Sequence, residues 1–436
     1  MKKAEIYYFT LSDELPREDK LAWFKNTRFT NIEFDKINPD DKGNWLNLTD
    51  NDFDNLMPVC DKEVKLGKKQ GAIFKLFSLG VVTNRDEWVY DDSKVNLTKK
   101  IELFMNIYNS EIKRWGKAEK ILNTNDFVDR AIKWTEELEG HLKKGNNLQF
   151  KDNNINLSTY RPYIKKYFYF DKIITHRIYQ NDSIFGFESK YENLVICFSG
   201  QSSSKHFQCL AVNQLSGLDF LEKTQCLPLY VYDKDGNPHD NITDWALTQF
   251  QARYSESKVM SLDSTKEAIF HYVYAVLHNP AYREKYEQNL KREFPRIPFY
   301  DDFAQWADWG KALMALHLNY ETVEKYPLKR LDTPPIAKPK AKLKADKINS
   351  VIQLDDNTRL SDIPLQAWEY KLGNRSALEW VLDQYKEKKP KDPTIAEKFN
   401  TYRFADYKEQ VVELLMRVCT VSVETMKIIE SMKKLS

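Results

Sequence analysis

The chain has 436 residues, 42% of them hydrophobic and 30% charged, which is enough for about two or three globular domains. Its net charge of +2 argues against a histone-like coating protein, although basic residues can still gather on one face. No apolar run approaches the roughly 18 residues of a membrane span, and the start lacks the apolar region of a secretory signal. The five widely spaced cysteines fit a reducing compartment, so we expect a cytoplasmic protein.

The glycines argue against the common nucleotide-binding turns. There are only 13, and the closest pair is Gly67 and Gly71. A G-x-G turn needs its second glycine two positions on, so that the backbone can approach the ligand. Gly140 and Gly145 have P-loop spacing, but two asparagines follow them instead of Lys and Ser or Thr. We therefore expect no S-adenosylmethionine or nucleoside triphosphate to bind this chain by these routes.

Residues 1–70 carry strand and helix signals in alternation. "AEIYYFTL" predicts a strand, "REDKLAWFKNT" a short helix and "NIEFDKI" a second strand. After them, residues 72–90 predict two extended segments joined through Gly80. Two helices are predicted next, in "LTKKIELFMNIYNSEIKRWG" and "TNDFVDRAIKWTEELEGHLKKG".

The tract from Tyr160 to Asp233 predicts strands, because aromatic and β-branched runs alternate there with turn signals. From Asp244 the pattern becomes helical, and Ser264-x-x-Glu267 has the signature of a capping box.

The letters Asn279-Pro280-Ala281-Tyr282 differ by one residue from N-P-P-Y, the loop with which adenine-N6 methyltransferases hold a flipped base. A catalytic N-P-P-Y follows a strand, whereas the apolar run before Asn279 has a period of 3.6. Asn is a favoured helix N-cap and Pro is favoured at the first helical position. The sequence therefore favours a corner between two helices over a catalytic loop.

The segment 331–347, with three prolines and five lysines between 334 and 347, has the composition of a linker. The amphipathic patterns beyond it, in "ALEWVLDQYKEK" and "YKEQVVELLMRVCTVSVETMKIIESMKK", predict a small C-terminal helical module over 348–436.

Two further motifs have ordinary explanations. Pro39-Asp40 with Glu63-Val64-Lys65 matches the letters of a Mg²⁺-dependent PD-(D/E)xK nuclease. Its surroundings are charged and glycine-flanked instead of strand-like, which favours surface turns. The segment Asp233-Lys-Asp-Gly has the start of a calcium loop without the bidentate acid, and a hairpin turn explains it. The seven histidines show no metal-ligand spacing.

Three stretches fit DNA recognition: "TNRDEW" (83–88), "TYRPYIKKYFYFDK" (159–172) and "FSGQSSSKHF" (198–207). Arg reads guanine edges and Asn or Gln reads adenine edges, while lysines position the backbone. The predicted contacts are Asn84, Arg85, Asp86, Arg161, Lys165, Lys166, Gln201, Lys205 and His206. Each stretch also has a structural explanation: the aromatic residues belong in the core, Arg85 and Asp86 form an internal ion pair, and the serine loop is merely exposed.

Several segments, taken in order, carry a family resemblance: "FSLGVVTNRDEWVYD", "YNSEIKRW", "YRPYIKKYFYFD", "NITDWALTQFQARY", "IFHYVYAVLHNPAYREKY", "RIPFYDDFAQWADWGKALMALHLNYE", "WEYKLGNRSALEWVLDQY" and "LLMRVCTVSVETMKIIE". They resemble the C-terminal part of type ISP restriction-modification enzymes, and they cover nearly the whole chain. Those bacterial enzymes combine nuclease, ATP-driven translocase, adenine-N6 methyltransferase and target-recognition parts in a single polypeptide.

The resemblance implies an α+β fold, in which residues 1–70 are a strand–helix segment trailing a methyltransferase core and residues 71–330 are a mixed-sheet target-recognition domain with inserted and flanking helices. We expect it to bind a short double-stranded DNA sequence and so to direct adenine methylation and restriction. No catalytic residue of the family can be carried over, and S-adenosylmethionine, ATP and Mg²⁺ are expected only in other parts of such an enzyme. Two alternatives stay open: a free-standing nuclease or methyltransferase with a degenerate site, and a module that docks a nuclease–helicase partner and touches DNA only within the assembly. The expected protein partners are the methyltransferase, helicase-like and nuclease parts of such an enzyme.

Overall fold

The computed structural model describes residues 4–12, 15–39, 45–46, 51–118, 123–186, 190–254, 265–334 and 337–434. Helices and small sheets are interspersed along these residues, which confirms the α+β fold class. Within these ranges every strand ladder is antiparallel, and parallel pairing occurs only as single bridges, such as the one between Val81 and Gly217. Where the sequence predicts one mixed sheet, the structure has several short sheets with antiparallel ladders.

The N-terminal unit consists of strand β1 (Ile6–Tyr8), helix α1 (Arg17–Asn26) and strand β2 (Asp35–Ile37). These are the three elements that the sequence predicts, and the strands pair antiparallel with Ile6 opposite Ile37. The ring of Phe9 stacks on Trp23 at 5.1 Å. None of the described residues between 4 and 39 is buried.

The next part of the chain, up to residue 240, holds most of the strands. Its elements are β3 (Met57–Pro58), α2 (Lys62–Lys65), β4 (Ser78–Leu79), α3 (Asp86–Val89), β5 (Tyr90–Asp91), α4 (Lys94–Trp115), α5 (Thr124–Phe127), α6 (Glu136–Lys143), β6 (Ile155–Arg161), β7 (Ile164–Tyr169), α7 (Asn181–Phe185), β8 (Val195–Phe198), β9 (Cys209–Val212), β10 (Gln225–Pro228), β11 (Tyr230–Tyr232) and β12 (Pro238–Asp240). The single helix predicted over 124–145 is divided into α5 and α6, because Thr135 caps a new helix by accepting from the Leu138 amide.

Two sheets form the centre of this part. The first has the strand order β4-β10-β8-β9, and the second has the order β5-β7-β6. All residues of β8 and β9 are buried, as their unbroken apolar sequences indicate. Leu215 to Gly217 join the two sheets, since the Thr159 amide donates to the Leu215 carbonyl and the Val81 amide donates to the Ser216 carbonyl.

A helical layer covers one side of the first sheet. It contains α8 (Asp244–Arg253), α9 (Thr265–Val276), α10 (Pro280–Lys285), α11 (Glu287–Arg292), β13 (Arg296–Ile297) and α12 (Phe303–Leu318). The Asn279 side chain accepts from the Ala281 amide and Pro280 begins α10, so the NPAY stretch is the predicted helix corner. Ser264, the first residue of the predicted capping box, lies outside the described residues.

The C-terminal part contains a sheet as well as helices. Its elements are β14 (Lys329–Asp332), β15 (Ala341–Asp346), β16 (Val351–Asp355), β17 (Thr358–Ser361), α13 (Leu365–Glu369), β18 (Lys371–Leu372), β19 (Arg375–Ser376), α14 (Ala377–Gln384), α15 (Pro393–Lys398) and α16 (Phe404–Lys433). Helices α14 and α16 match the two that the sequence predicts.

The prediction of a linker over 331–347 is corrected by this sheet. Strand β14 pairs with β17, and β15 pairs with β16 at the sheet edge. Within β15, Leu343 is buried while Lys342 and Lys344 are exposed. This alternation has the period of a strand, and lysines on an edge strand also discourage pairing with another chain. The lysine content concealed the strand pattern.

A buried chain of polar side chains connects the helical layer with the C-terminal part. The Tyr274 hydroxyl accepts from the Ala211 amide and lies 2.6 Å from Nδ1 of His317. Nε2 of His317 lies 3.0 Å from the Thr425 hydroxyl and 3.2 Å from that of Tyr370. The C-terminal helices therefore pack into the rest of the molecule, and the predicted boundary at residue 348 is not a break in the packing.

Candidate nucleic-acid interface

Three loops meet at one end of the first sheet: two leave it there, and the third leaves β9 at the opposite end and enters β10 here. In the sheet register Gln225 lies opposite both Leu79 and Phe198, and Phe198 lies opposite Cys209. These four residues are the ends of β4 and β8 and the starts of β10 and β9. Loops 80–86 and 199–208 and the end of loop 213–224 therefore lie side by side. We call these three loops together the loop edge.

Close backbone contacts hold the loop edge together. A Cβ atom on Gly80 would lie 2.6 Å from the Gly217 carbonyl oxygen, and one on Gly200 would lie 2.3 Å from that of Lys223. Only glycine allows the loops to approach this closely. The Glu222 carboxylate also accepts from both Ser203 and Ser204, which connects loop 213–224 to loop 199–208. We call loop 199–208 the serine loop.

Several residues of the loop edge have strained backbone. Asn84, Ser202, Glu222 and Lys223 all have left-handed backbone angles, with φ between 53° and 63°. Such angles cost about 1–3 kcal/mol each for residues other than glycine, and they are found more often at functional sites. The surrounding hydrogen bonds keep these loops in one shape.

Asn84, Asp86 and Arg161 meet in one cleft of the loop edge. They line it together with Tyr160 and Asp219, and the cleft has a volume of about 290 Å³. The guanidinium of Arg161 lies over the Tyr160 ring, and one of its N–H groups donates to the Tyr160 carbonyl. The Thr83 hydroxyl donates to the Asp86 carboxylate. The structure thus brings together residues that are far apart in sequence.

The structure corrects the assignment of Arg85. Its side chain is only 3% exposed, and it donates to the Ile174 carbonyl and to the Thr135 hydroxyl. Burial lowers the pKa of Arg85 to about 10. The alternative of an ion pair with Asp86 is not seen either, since each side chain has other partners. Arg85 therefore supports the 83–88 turn from the interior, through its hydrogen bonds to Ile174 and Thr135.

Lys165 and Lys166 both have carboxylate partners, and Lys166 also lines a cleft that includes Asp86 and Tyr160. Nζ of Lys165 is 2.5 Å from Glu321, and Nζ of Lys166 is 2.9 Å from Asp92. The aromatic residues around them mostly belong to the core, as the structural explanation of this stretch predicts. Both lysines lie on β7, so their ion pairs join the second sheet to Glu321 and Asp92.

The serine loop presents Gln201 to solvent and holds the neighbouring basic side chains. Gln201 is exposed, Nζ of Lys205 lies 5.5 Å from the Trp380 ring, and Nδ1 of His206 lies 3.2 Å from Glu287. The Ser202 amide donates to the Lys291 carbonyl, which fixes the loop tip on the helical layer.

Loop 213–224 was missed by the sequence analysis. It presents Asp219 and Lys223, both exposed, between the cleft and the serine loop. Its letters, "NQLSGLDFLEKT", contain the turn signal Ser-Gly, but the buried Leu215 and Phe220 make it look like an ordinary core segment. Only the sheet register shows that it lies between the other two loops.

The competing motifs have structural roles in the described residues. Glu63 and Lys65 lie on the short helix α2 instead of a strand, and Nζ of Lys65 donates to the Phe77 carbonyl. Asp40 lies outside the described residues. Asp233 accepts from the Asn237 amide inside the β11–β12 hairpin. Across the part of the chain that the structure describes, no three His, Cys, Asp or Glu side chains are grouped as a metal site requires.

A family model described as the Type ISP C-terminal specificity domain matches residues 72–414. The chain belongs to this family. The match begins where the predicted recognition domain begins and continues through the C-terminal sheet to α16. No curated protein is similar enough to count as a match.

Three solved structures of larger proteins are similar to this member of the Type ISP specificity-domain family. A DrdV–DNA complex is 47% identical, with a TM-score of 0.83, over 98% of this chain and 43% of that one. A nuclease-deletion mutant of LlaGI, a Type ISP enzyme bound to a DNA substrate mimic, is 29% identical (TM-score 0.78; 99% and 39% covered). DNA-bound LlaBIII, an ATP-dependent Type ISP enzyme, is 25% identical (TM-score 0.76; 93% and 26% covered).

This chain thus spans less than half the length of these structural relatives. Within its described residues, no helix has both the length and the apolar character that crossing a membrane would need.

Proposed function

We propose that this chain binds a short sequence of double-stranded DNA and is the target-recognition part of a bacterial restriction-modification enzyme. The observation that carries the proposal is the loop edge, where three mutually braced loops present polar side chains from one end of a rigid sheet. Rigid scaffolds with polar loops are typical of binding sites. Membership in a specificity-domain family and the DNA-bound state of DrdV and LlaGI support it.

Asn84, Arg161 and Gln201 are the base-reading residues of this proposal. Asn and Gln make paired hydrogen bonds to adenine in the major groove, and Arg makes them to guanine. Each such contact contributes about 1–3 kcal/mol of discrimination against the wrong base. Asp86 and Asp219 line the same cleft, where a carboxylate accepts from cytosine.

Lys205, His206 and Lys223 are the backbone-positioning residues at this edge. Lys223 is exposed, and its Nζ donates to the Ser202 carbonyl at the tip of the serine loop. Lysines placed next to base-reading side chains fix the register of a protein on the duplex. Lys165 and Lys166, which are already paired, take no direct part in this scheme.

The remaining activities belong, in this proposal, to other parts of a longer enzyme. Adenine-N6 methylation, ATP-driven translocation and DNA cleavage would use S-adenosylmethionine, ATP and Mg²⁺ there. The role of this chain is to place those parts at the correct sequence.

A docking role for the N-terminal unit is supported by its uncovered apolar side chains. Leu21, Phe24 and Phe29 are 58%, 75% and 77% exposed, and a unit of about 35 residues seldom forms a sufficient core alone. The proposed occupant is the methyltransferase part of the parent enzyme, since the relatives are more than twice as long. Phe24→Ser with Phe29→Ser should prevent the purified chain from binding that part while DNA binding stays intact. Unchanged binding of the methyltransferase part would refute the docking role.

The DNA-binding proposal is tested by selecting bound duplexes from a randomised library with the purified chain at fixed salt. We expect an enriched asymmetric motif. Gln201→Ala and Asn84→Gly should each relax the preference at particular positions of that motif. Gln366→Ala is the matched control, because Gln366 is an exposed amide on α13 outside the loop edge.

A flat selection profile, with binding that depends only on salt, would contradict a self-sufficient recognition domain. Loss of preference in the Gln366→Ala control as well would show that the loop edge is not the reading surface.

A further inference from the structure

A second basic surface borders the loop edge and comes from the C-terminal part. Residues 386–391, "KEKKPK", connect α14 to α15, and we call this segment the lysine loop. It carries four exposed lysines: Lys386, Lys388, Lys389 and Lys391. Since Glu387 is its only acid, the segment has a net charge of +3 (four lysines and one glutamate).

Only part of the positive charge of the lysine loop is held in ion pairs, although Asp86, Glu87, Asp91, Asp92 and Asp406 line the same cleft as three of its lysines. Lys386 and Lys388 share one carboxylate, Asp383, at 3.9 and 3.1 Å, and Arg375 uses the same group at 3.1 Å. For Lys389 and Lys391, no ion pair is formed with any residue in the described ranges. The Glu387 carboxylate, meanwhile, accepts from the Phe404 amide.

The lysine loop is fixed directly to the turn that carries Asn84. The Glu87 carboxylate accepts from the Lys391 amide at 2.9 Å and from the Asp392 amide at 2.7 Å. The Trp88 indole N–H donates to the Asp392 carboxylate at 2.7 Å. Pro390 restricts the loop further, because proline fixes its own φ.

This attachment places the lysines in two clefts that adjoin the base-reading turn. Lys386, Lys388 and Lys389 line a cleft with Asp86, and Lys391 lines a second cleft with Asn84. Arg130 and Lys133 also line the second cleft, which adds two more basic side chains. A run of lysines is usually just a solvated surface, but this one is rigidly held beside the residues that read bases.

We propose that the lysine loop binds backbone phosphates of double-stranded DNA and positions the duplex over the loop edge. This inference rests on the proposed DNA-binding function and assigns a phosphate site to the C-terminal part. Lysine suits the role because its compact ammonium group makes strong charge-assisted contacts without reading sequence. A duplex held at the lysine loop presents its neighbouring base pairs to Asn84 and Arg161.

The experiment measures DNA affinity of the full chain between 50 and 200 mM salt. The first variant, Lys389→Gln with Lys391→Gln, removes the two lysines that form no ion pair in the described ranges, so no ion pair there is lost. Each phosphate contact contributes about 0.9 to the slope of log affinity against log salt. The double variant should therefore lower the slope by about 1.8, so that fourfold more salt weakens binding about 12-fold less than in the parent chain.

A second variant and a matched control complete the test. Substituting all four lysines of the loop by Gln should lower the slope further. The control carries Gln at Lys329, Lys338, Lys340 and Lys344, which are equally exposed and belong to β14, β15 and the segment between them. The control changes the net charge by the same amount as the four-lysine variant. Its effect on the salt slope, which we expect to be smaller, therefore measures the general electrostatic contribution. The motif selected from a duplex library should be unchanged in all three variants.

An unchanged slope in the lysine-loop variants, or an equal decrease in the control, would overturn the phosphate site. Failure of the underlying function has a different signature. In that case the parent chain would select no motif at all, whatever the lysine loop does to the salt dependence.

Discussion

Arg85 is the residue for which the structure and the sequence make opposite predictions about mutation. The guanidinium is buried and donates to the Ile174 carbonyl and the Thr135 hydroxyl. Arg85→Met keeps the apolar volume but leaves the carbonyl unpaired, which costs about 1–3 kcal/mol, and loses the bond to the hydroxyl, which contributes about 1 kcal/mol. We therefore expect the free energy of unfolding to fall by about 2–4 kcal/mol.

Urea unfolding followed by circular dichroism measures this loss, and library selection measures the effect on DNA. Arg85→Met should weaken DNA binding in proportion to the unfolded fraction, without changing the preferred base at any position. Asn84→Gly is the matched comparison, because glycine tolerates the left-handed backbone while the amide is lost. It should keep the stability and change the base preference. A stable Arg85→Met protein with a changed preference at one base pair would refute the buried role.

Three further predictions concern stability. Burial lowers the pKa of His317 to about 3, so its neutral form favours the folded state. That contribution is complete above pH about 6.5 and is lost as the pH falls towards 3. The free energy of unfolding should thus fall by about 2 kcal/mol more between pH 7 and pH 5 than in His317→Gln, and parallel pH profiles would contradict this. Gly310→Ala should destabilise by about 1–3 kcal/mol in urea unfolding, because its Cβ would lie 1.8 Å from the His271 carbonyl oxygen. Gly140→Ala should instead stabilise the protein by about 0.5–1 kcal/mol, because Gly140 lies in helix α6 and an added Cβ would meet nothing within 4 Å. If both variants lost stability, the close packing of α12 on α9 would not be the cause of the Gly310→Ala effect. Asn279→Ala should cost about 1–2 kcal/mol through loss of the cap on α10 and leave the selected motif unchanged; an altered motif would argue for a role in base binding.

The sequence predicts those elements whose signals are local. Asn279 and Pro280 form the helix corner because capping chemistry depends on neighbouring residues alone. The lysines and prolines of residues 331–347 predict a linker, which the structure contradicts. The alternation of Ala341, Leu343 and Ala345 with lysines was the stronger signal, since a buried face decides whether a strand forms.

The candidate interface depends on pairings between distant residues, which explains why the sequence predicts only part of it. "TNRDEW" points to this turn, but the partners that hold Arg85 in the interior, Ile174 and Thr135, are distant in sequence. Asn84 is exposed and Arg85 is buried, although both are polar residues in the same loop. Loop 213–224 joins the surface only because Gln225 pairs with both Leu79 and Phe198.

The C-terminal part is needed to shape the interface, which explains why the family match continues through it. Lys205 of the serine loop lies against Trp380 of α14, and the lysine loop is held by Glu87 beside Asn84. The buried contacts of His317 with Thr425 fix α16 against the helical layer that supports the same sheet. Removing the residues beyond 348 would therefore expose apolar core, delete the lysine loop and remove the Trp380 contact of the serine loop. A recognition region cut at that boundary should lose DNA affinity even though Asn84, Arg161 and Gln201 are all retained.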